Sequence, residues 1–131
     1  MKTICVDAAC SGNPGQMEYR GVDLTTHREI FHFGPIWGTN NIGEFLAIVH
    51  ALALLKQSGE EGEVYSDSVS GMAWVRKKKS GTTLKRDEKT ARALDLVDRA
   101  IAWLKRNPLH APVKKWDTRE YGEIPADFGR K

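Results

Sequence analysis

Residues 6–15 read VDAACSGNPG. They continue a β-forming run, Thr3-Ile4-Cys5, that meets an acid at Asp7 and then breaks into Ser-Gly-Asn-Pro-Gly. Residues 2–10 are apolar on both faces, which predicts a central strand covered on each side. Gly12, Pro14 and Gly15 force a turn. An acid after such a run is poorly placed for a solvated face. Either the turn explains it, or the carboxylate has work at the strand's end.

Working outward, residues 17–25 and 29–33 read as two more strands, with His27-Arg28 as the hairpin and Gly34-Pro35 closing the third strand. A helix follows over 41–56, where Phe45, Ile48, Val49, Leu52 and Leu55 fall on one stripe at helical spacing, and Gly59 and Gly62 end it. Residues 64–67 form a short strand that again closes on an acid, Asp67. Residues 69–78 read as a short helix running into a basic segment. A long helix spans 87–106, with Asp87 as N-cap, Leu94, Val97, Ile101 and Leu104 as its apolar stripe, and Asn107-Pro108 as its stop. Residues 112–116 make the last strand, and Ala126-Asp127 begins at most a stub of helix. The order β-β-β-α-β-α-α-β-α predicts an α/β fold in which an antiparallel meander joins parallel strands in one mixed sheet flanked by helices. No repeat, linker or low-complexity stretch divides the chain, so a single domain over residues 1–131 is expected.

Bulk properties narrow the class. A length of 131 residues with 40% hydrophobic and 28% charged residues suits one soluble globular domain. No apolar run approaches the roughly 20 residues needed to cross a bilayer. The N-terminus lacks the apolar core and cleavage site of a signal peptide, so a cytoplasmic location is expected. Cys5 and Cys10, the two cysteines, have the odd separation that turns them to opposite faces of one strand, which predicts unpaired, buried thiols. The net charge of +3 is unevenly spread: residues 72–92 hold Arg76, Lys77, Lys78, Lys79, Lys85, Arg86, Lys89 and Arg92 against Asp87 and Glu88. Such local charge points to an anionic partner.

Four acids draw the argument together. Asp7 and Asp67 each follow β-forming residues near a strand's C-terminal end, where sites gather in open α/β sheets. Glu44 sits in the first turns of a helix, on the flank of its apolar stripe. Asp127 follows Pro125-Ala126. Taken singly, each has an ordinary role as a turn acid or a first-turn acid. Brought together, they would repel strongly unless divalent cations lay between them. An oxygen-only set favours magnesium or manganese, and two such ions about 4 Å apart suit hydrolysis at phosphorus.

In these stretches the chain resembles the type 1 ribonuclease H family. Asp7 within VDAACSGNPG, Glu44 within TNNIGEFLAIVHAL, Asp67 within YSDS and Asp127 within EIPADFGRK look like its four acidic motifs, in order and in rough spacing. The resemblance implies a five-stranded mixed sheet and magnesium-dependent endonucleolytic cutting of RNA in an RNA–DNA hybrid, leaving 5′-phosphate and 3′-hydroxyl ends. It implies that Asp7, Glu44, Asp67 and Asp127 bind two Mg2+ ions, for which Mn2+ can substitute. By the same likeness Thr39, Asn40 and Asn41 meet the nucleic acid near the scissile region, and Ser11, Gly12 and Asn13 approach the 2′-hydroxyls of the RNA strand. Amide side chains suit that contact, because they both donate and accept as the 2′-hydroxyl does. Trp74 with Arg76, Lys77 and Lys78 resembles the basic region that holds the DNA strand. Many family members also carry a histidine in a loop before the last acid; residues 118–123 hold none. Two alternatives stand beside this reading: a related metal nuclease acting on DNA, and a module that binds hybrids without cutting. A monomer is expected.

Overall fold

The computed structural model describes residues 1–129. β1 (Lys2–Gly12), β2 (Gly15–Asp23) and β3 (Arg28–Gly38) form the meander; α1 (Asn40–Ser58), β4 (Gly62–Ser66), α2 (Val69–Lys77), α3 (Ala91–Arg106), β5 (Val113–Lys115) and α4 (Thr118–Tyr121) follow. The five strands lie in the order β3-β2-β1-β4-β5. β1–β2 and β2–β3 pair antiparallel, whereas β4 pairs parallel with β1 and with β5. The expected mixed sheet is therefore present, with β1 at its centre.

Alternation along β1 assigns its two faces. Ile4, Val6 and Ala8 join the main core, which α1 covers with Phe45, Ile48 and Leu52. Residues 42–49 of α1 are all buried, because the helix has the sheet beneath it and other helices around it. Ala93, Leu94, Val97, Ala100 and Leu104 bury the inner stripe of α3. On the opposite sheet face Cys5 and Val22 meet Ile124 and Ala126 of the C-terminal segment. Cys5 and Cys10 are free thiols; Cys5 is fully buried and Cys10 half-buried.

Several boundaries differ from those expected. Gly34-Pro35 does not close the third strand, which runs on to Gly38. Between the pairs Met17–Ile36 and Tyr19–Phe33 the partner strand has one residue and β3 has two, Gly34 and Pro35, so the chain bulges and resumes. Gly34 supplies the positive φ of 106°, and proline is tolerated because β3 is an edge strand. The long helix starts at Ala91 after Thr90, not at Asp87. Asp87 instead heads a turn in which Oδ1 accepts from the amides of Lys89 and Thr90. The short last helix lies at Thr118–Tyr121, where the Asp117 carboxylate caps the amide of Glu120. Residues 126–129 are not helical.

Candidate active site

The geometry of Asp7 and Asp67 follows from the pairing of β1 with β4. The parallel ladder between β1 and β4 stops at the pair Cys5–Tyr65. Two residues further along the chain from each stand Asp7, still on β1, and Asp67, the first residue after β4, so both acids sit just past the end of the ladder. The sequence places Asp7 near a strand's C-terminal end, but β1 continues against β2 as far as Gly12, so the acid stands mid-strand. Its position is terminal only with respect to β4.

Beyond that end, the backbone of β1 lacks its β4 partner. The Ala8 amide donates instead to Oε1 of Glu44, at 2.7 Å. Glu44 can reach it because α1 lies very close to β1. A Cβ placed on the neighbouring Gly43 would stand 2.8 Å from the Ala8 Cβ and 3.0 Å from the Met17 side chain. α2 closes the other side: a Cβ on Gly71 would stand 3.2 Å from the Glu44 Cβ. Ser68 caps that helix, its hydroxyl accepting from the Gly71 amide at 2.9 Å.

The outcome is a compact acidic group. One carboxylate oxygen from each of Asp7, Glu44 and Asp67 lies within 4.8 Å of the others. Asp7 is 0% and Glu44 1% exposed, while Asp67 is half-buried. Buried like charges at that spacing call for a compensating cation. All the donors are carboxylate oxygens, the set hard divalent ions prefer over soft ones. The donor chemistry therefore fits a magnesium-type ion. Nearby thiols offer no competing nucleophile: burial pushes Cys5 up to about 11 and raises Cys10 as well, so both stay protonated at neutral pH.

Asp127 stands outside the three-carboxylate group. Its Oδ2 accepts from the Gly129 amide at 2.9 Å, and its own amide donates to the Ile124 carbonyl. The segment nevertheless lies on the sheet face that carries Asp7, with Ile124 and Ala126 buried. What holds it is Arg20, a residue that sequence reasoning passed over. Arg20 is the direct cross-strand partner of Asp7, and its Nε and Nη2 donate to the carbonyls of Ala126 and Asp127 at 2.7 and 2.6 Å. β2 carries Glu18 and Asp23 as well as Arg20, so no local pattern singled it out.

The remaining expected residues fall into two sets. Ser11, Gly12 and Asn13 are exposed at the β1–β2 turn, and the Asn13 Oδ1 accepts from the Asn40 amide at 3.1 Å, joining that turn to the start of α1. Thr39 is the N-cap of α1, its hydroxyl accepting from the Ile42 amide. Ser11, Gly12, Asn13 and Asn40 line a cavity of about 630 Å³ together with Gln16 and Glu18. Asn13, Thr39, Asn41 and Trp74 line a second one of about 230 Å³, closed by residues 81–84. Trp74 is thus both a cavity wall and a half-buried neighbour of Phe45, at 5.8 Å between ring centroids. Arg76 turns elsewhere, toward a cavity shared with Met72, His110 and Pro112. Lys77 is in the last turn of α2 and Lys78 is its C-cap, where cations suit the helix dipole.

Comparison with known proteins agrees with this architecture. A family model described as RNase H matches residues 1–112. The chain is 31% identical over 126 residues to a ribonuclease H of Prosthecochloris aestuarii, covering 90% of this chain and 85% of that protein. A ribonuclease H of Neorickettsia sennetsu is 30% identical over 142 aligned residues, covering 98% and 89%. Among solved structures, LC11-RNase H1 from a compost metagenome aligns with a TM-score of 0.55 at 23% identity, over 92% of this chain and 86% of its own. The same enzyme in complex with an RNA/DNA hybrid aligns with a TM-score of 0.56 at 20% identity, over 92% and 88%. At those identities the structural likeness speaks for the fold. Among the described residues no helix is long and apolar enough to cross a membrane.

Proposed function

The chain belongs to the ribonuclease H family, a family of ribonuclease hydrolases, and from that premise we propose that it cleaves the RNA strand of RNA–DNA hybrids by a reaction dependent on two divalent metal ions. The observation that carries the proposal is the convergence of Asp7, Glu44 and Asp67 within 4.8 Å, two of them buried. An LC11-RNase H1 of the same fold has been seen with such a hybrid.

Asp7, Glu44 and Asp67 would hold the ions, with Asp127 as a fourth ligand. Mg2+ is the natural occupant and Mn2+ a substitute, given oxygen donors alone. When bound, such ions activate water and neutralise charge on the phosphate and on the leaving 3′-oxygen, which gives 5′-phosphate and 3′-hydroxyl products. The protein's own part is positioning. The Ala8 amide fixes the Glu44 carboxylate by a 2.7 Å bond, so that oxygen needs little reorganisation during reaction. The tie between Asn13 and Asn40 sets the β1–β2 turn against the start of α1. Exposed Ser11, Gly12 and Asn13 would then meet the shallow minor groove and its 2′-hydroxyls, with Asn41 beside Asn13 at the second cavity. Trp74 and the cations Lys77 and Lys78 would meet the DNA strand, with affinity that falls as salt rises, whereas Arg76, turned toward the cavity of Met72, His110 and Pro112, is left out of that contact.

The test is a labelled RNA–DNA hybrid incubated with the protein in Mg2+, in EDTA, and with Asp67→Asn. Cleavage confined to the RNA strand, present only in Mg2+ and lost in the variant, is expected. Preferential cutting of duplex DNA would transfer the site to another substrate, and binding without cutting would make the chain a hybrid-binding module.

A further inference from the structure

We propose that Arg20 is a positioning residue for the acidic site: it pins the carbonyls of Ala126 and Asp127, and so holds the Asp127 segment on the sheet face that carries Asp7, from which its carboxylate can complete the site when metal binds. The inference rests on the reading of Asp127 as a metal ligand.

Residues 126–129 form no helix, and α4 ends at Tyr121. Carbonyls in such a segment find no partner in a helical ladder, yet buried carbonyls need one. Ala126 is 0% exposed. Arg20 meets the requirement with two parallel donors, Nε to Ala126 at 2.7 Å and Nη2 to Asp127 at 2.6 Å. A planar fork suits adjacent acceptors in a way that a point charge does not. The same guanidinium lies 5.0 Å from the Phe128 ring centroid, and Nη1 stands 3.7 Å from Glu29 on β3. Arg20 thus contacts three consecutive residues, 126 to 128, from a position directly opposite Asp7.

Charge alone would argue the reverse. A cation beside Asp7 opposes the binding of another cation, so an Arg20 that acted only through its charge would weaken metal uptake. Positioning and repulsion therefore predict opposite signs when Arg20 is removed.

The experiment measures Mn2+ binding to the full chain without nucleic acid, by electron paramagnetic resonance of the free ion. Asp127→Asn, Arg20→Ala, Arg20→Lys and the double variant Arg20→Ala/Asp127→Asn are compared, with folding checked by thermal melts in EDTA. Loss of a residue that orients a ligand commonly lowers metal affinity by about 10- to 100-fold. Arg20→Ala should fall in that range, Arg20→Lys should lie between it and the unaltered protein, and the double variant should bind no more weakly than Asp127→Asn, because both changes act through one carboxylate. Amide hydrogen exchange at Asp127 should quicken in Arg20→Ala. Unchanged or tighter Mn2+ binding in Arg20→Ala, with Asp127→Asn weakened, overturns the positioning role and leaves the ligand reading intact. Unchanged binding in Asp127→Asn, or no Mn2+ uptake by the unaltered protein, overturns the ligand reading and this inference with it. If Arg20→Ala does not fold, Arg20→Lys decides, and affinity equal to the unaltered protein's refutes the proposal.

Discussion

Consider adding one methyl group at Gly43. The new Cβ would stand 2.8 Å from the Ala8 Cβ and 3.0 Å from the Met17 side chain. Carbon atoms in contact rest about 3.5–4.0 Å apart. Met17 has rotatable bonds and can yield, but the Ala8 Cβ is fixed to the central strand. Relief therefore requires α1 to withdraw from β1 by about 1 Å, the shortfall from ordinary contact. Glu44 is the next residue on that helix, and its 2.7 Å bond to the Ala8 amide cannot survive the withdrawal unchanged. Overpacking of this kind costs about 1–3 kcal/mol, and replacing a helical glycine by alanine returns about 1 kcal/mol. Gly43→Ala should thus be destabilised by no more than about 2 kcal/mol and remain folded at 25 °C. Catalysis should suffer far more, since a misplacement of about 1 Å can lower the rate by about 100-fold. Urea unfolding and single-turnover hybrid cleavage measure the two effects separately. Gly59→Asn is the control: Gly59 closes α1 with φ of 71° and nothing within 4 Å of a built Cβ, and asparagine accepts that conformation. Cleavage at the unaltered rate in Gly43→Ala would refute the claim that close approach of α1 sets the Glu44 carboxylate.

Three further outcomes follow from the same geometry. Asp7→Asn removes one of three carboxylates crowded within 4.8 Å, so its melting temperature in EDTA should rise above the unaltered protein's while the stabilisation by Mg2+ disappears; an unchanged response to Mg2+ in thermal melts would contradict this. Burial holds His50 below its ordinary value of 6.5, and Tyr19, raised to about 12 by burial, stays protonated and shares a 2.9 Å hydrogen bond with the His50 Nδ1. The unfolded chain then binds more protons, so this contribution is fully present above about pH 6.5 and is lost as pH falls below it; the stability difference between the unaltered protein and His50→Phe, followed by urea melts from pH 8 to 5, should shrink toward acid, and a constant difference counts against it. Thr90, 3% exposed, donates to the Lys85 carbonyl at 2.6 Å and accepts from the Asp87 amide at 2.8 Å, so Thr90→Ala should lose about 1–3 kcal/mol in denaturant unfolding, and a change below the error of the melt would disprove the anchoring of α3 through this turn.

How much of this was legible beforehand depended on the range of the interactions involved. The strands and helices were readable because their apolar periodicities are local, and the Asp7, Glu44 and Asp67 motifs carried enough neighbours to be grouped. The continuation of β3 through Gly34-Pro35 was not readable, since it depends on the bulge opposite Glu18 and on β3 lying at the sheet's edge. Asp87 has the composition of a helix cap, but its carboxylate is taken by a turn that places Thr90 at the helix start. Glu44 was expected on the flank of a stripe, whereas α1 is enclosed on almost every side. Arg20 escaped notice because its partners are 106 and 107 residues away. The position of Asp127 follows from that long-range contact and from the Gly129 turn, neither of which a local pattern encodes.

The most direct measurement is crystallographic. Crystals of the protein grown in Mn2+ with a hybrid carrying an uncleavable linkage, recorded at the manganese absorption edge, should show anomalous density between Asp7, Glu44 and Asp67. Two peaks held by these carboxylates are the predicted result. A protein that cleaves hybrids in solution yet shows no manganese among these three carboxylates would contradict the account at its centre.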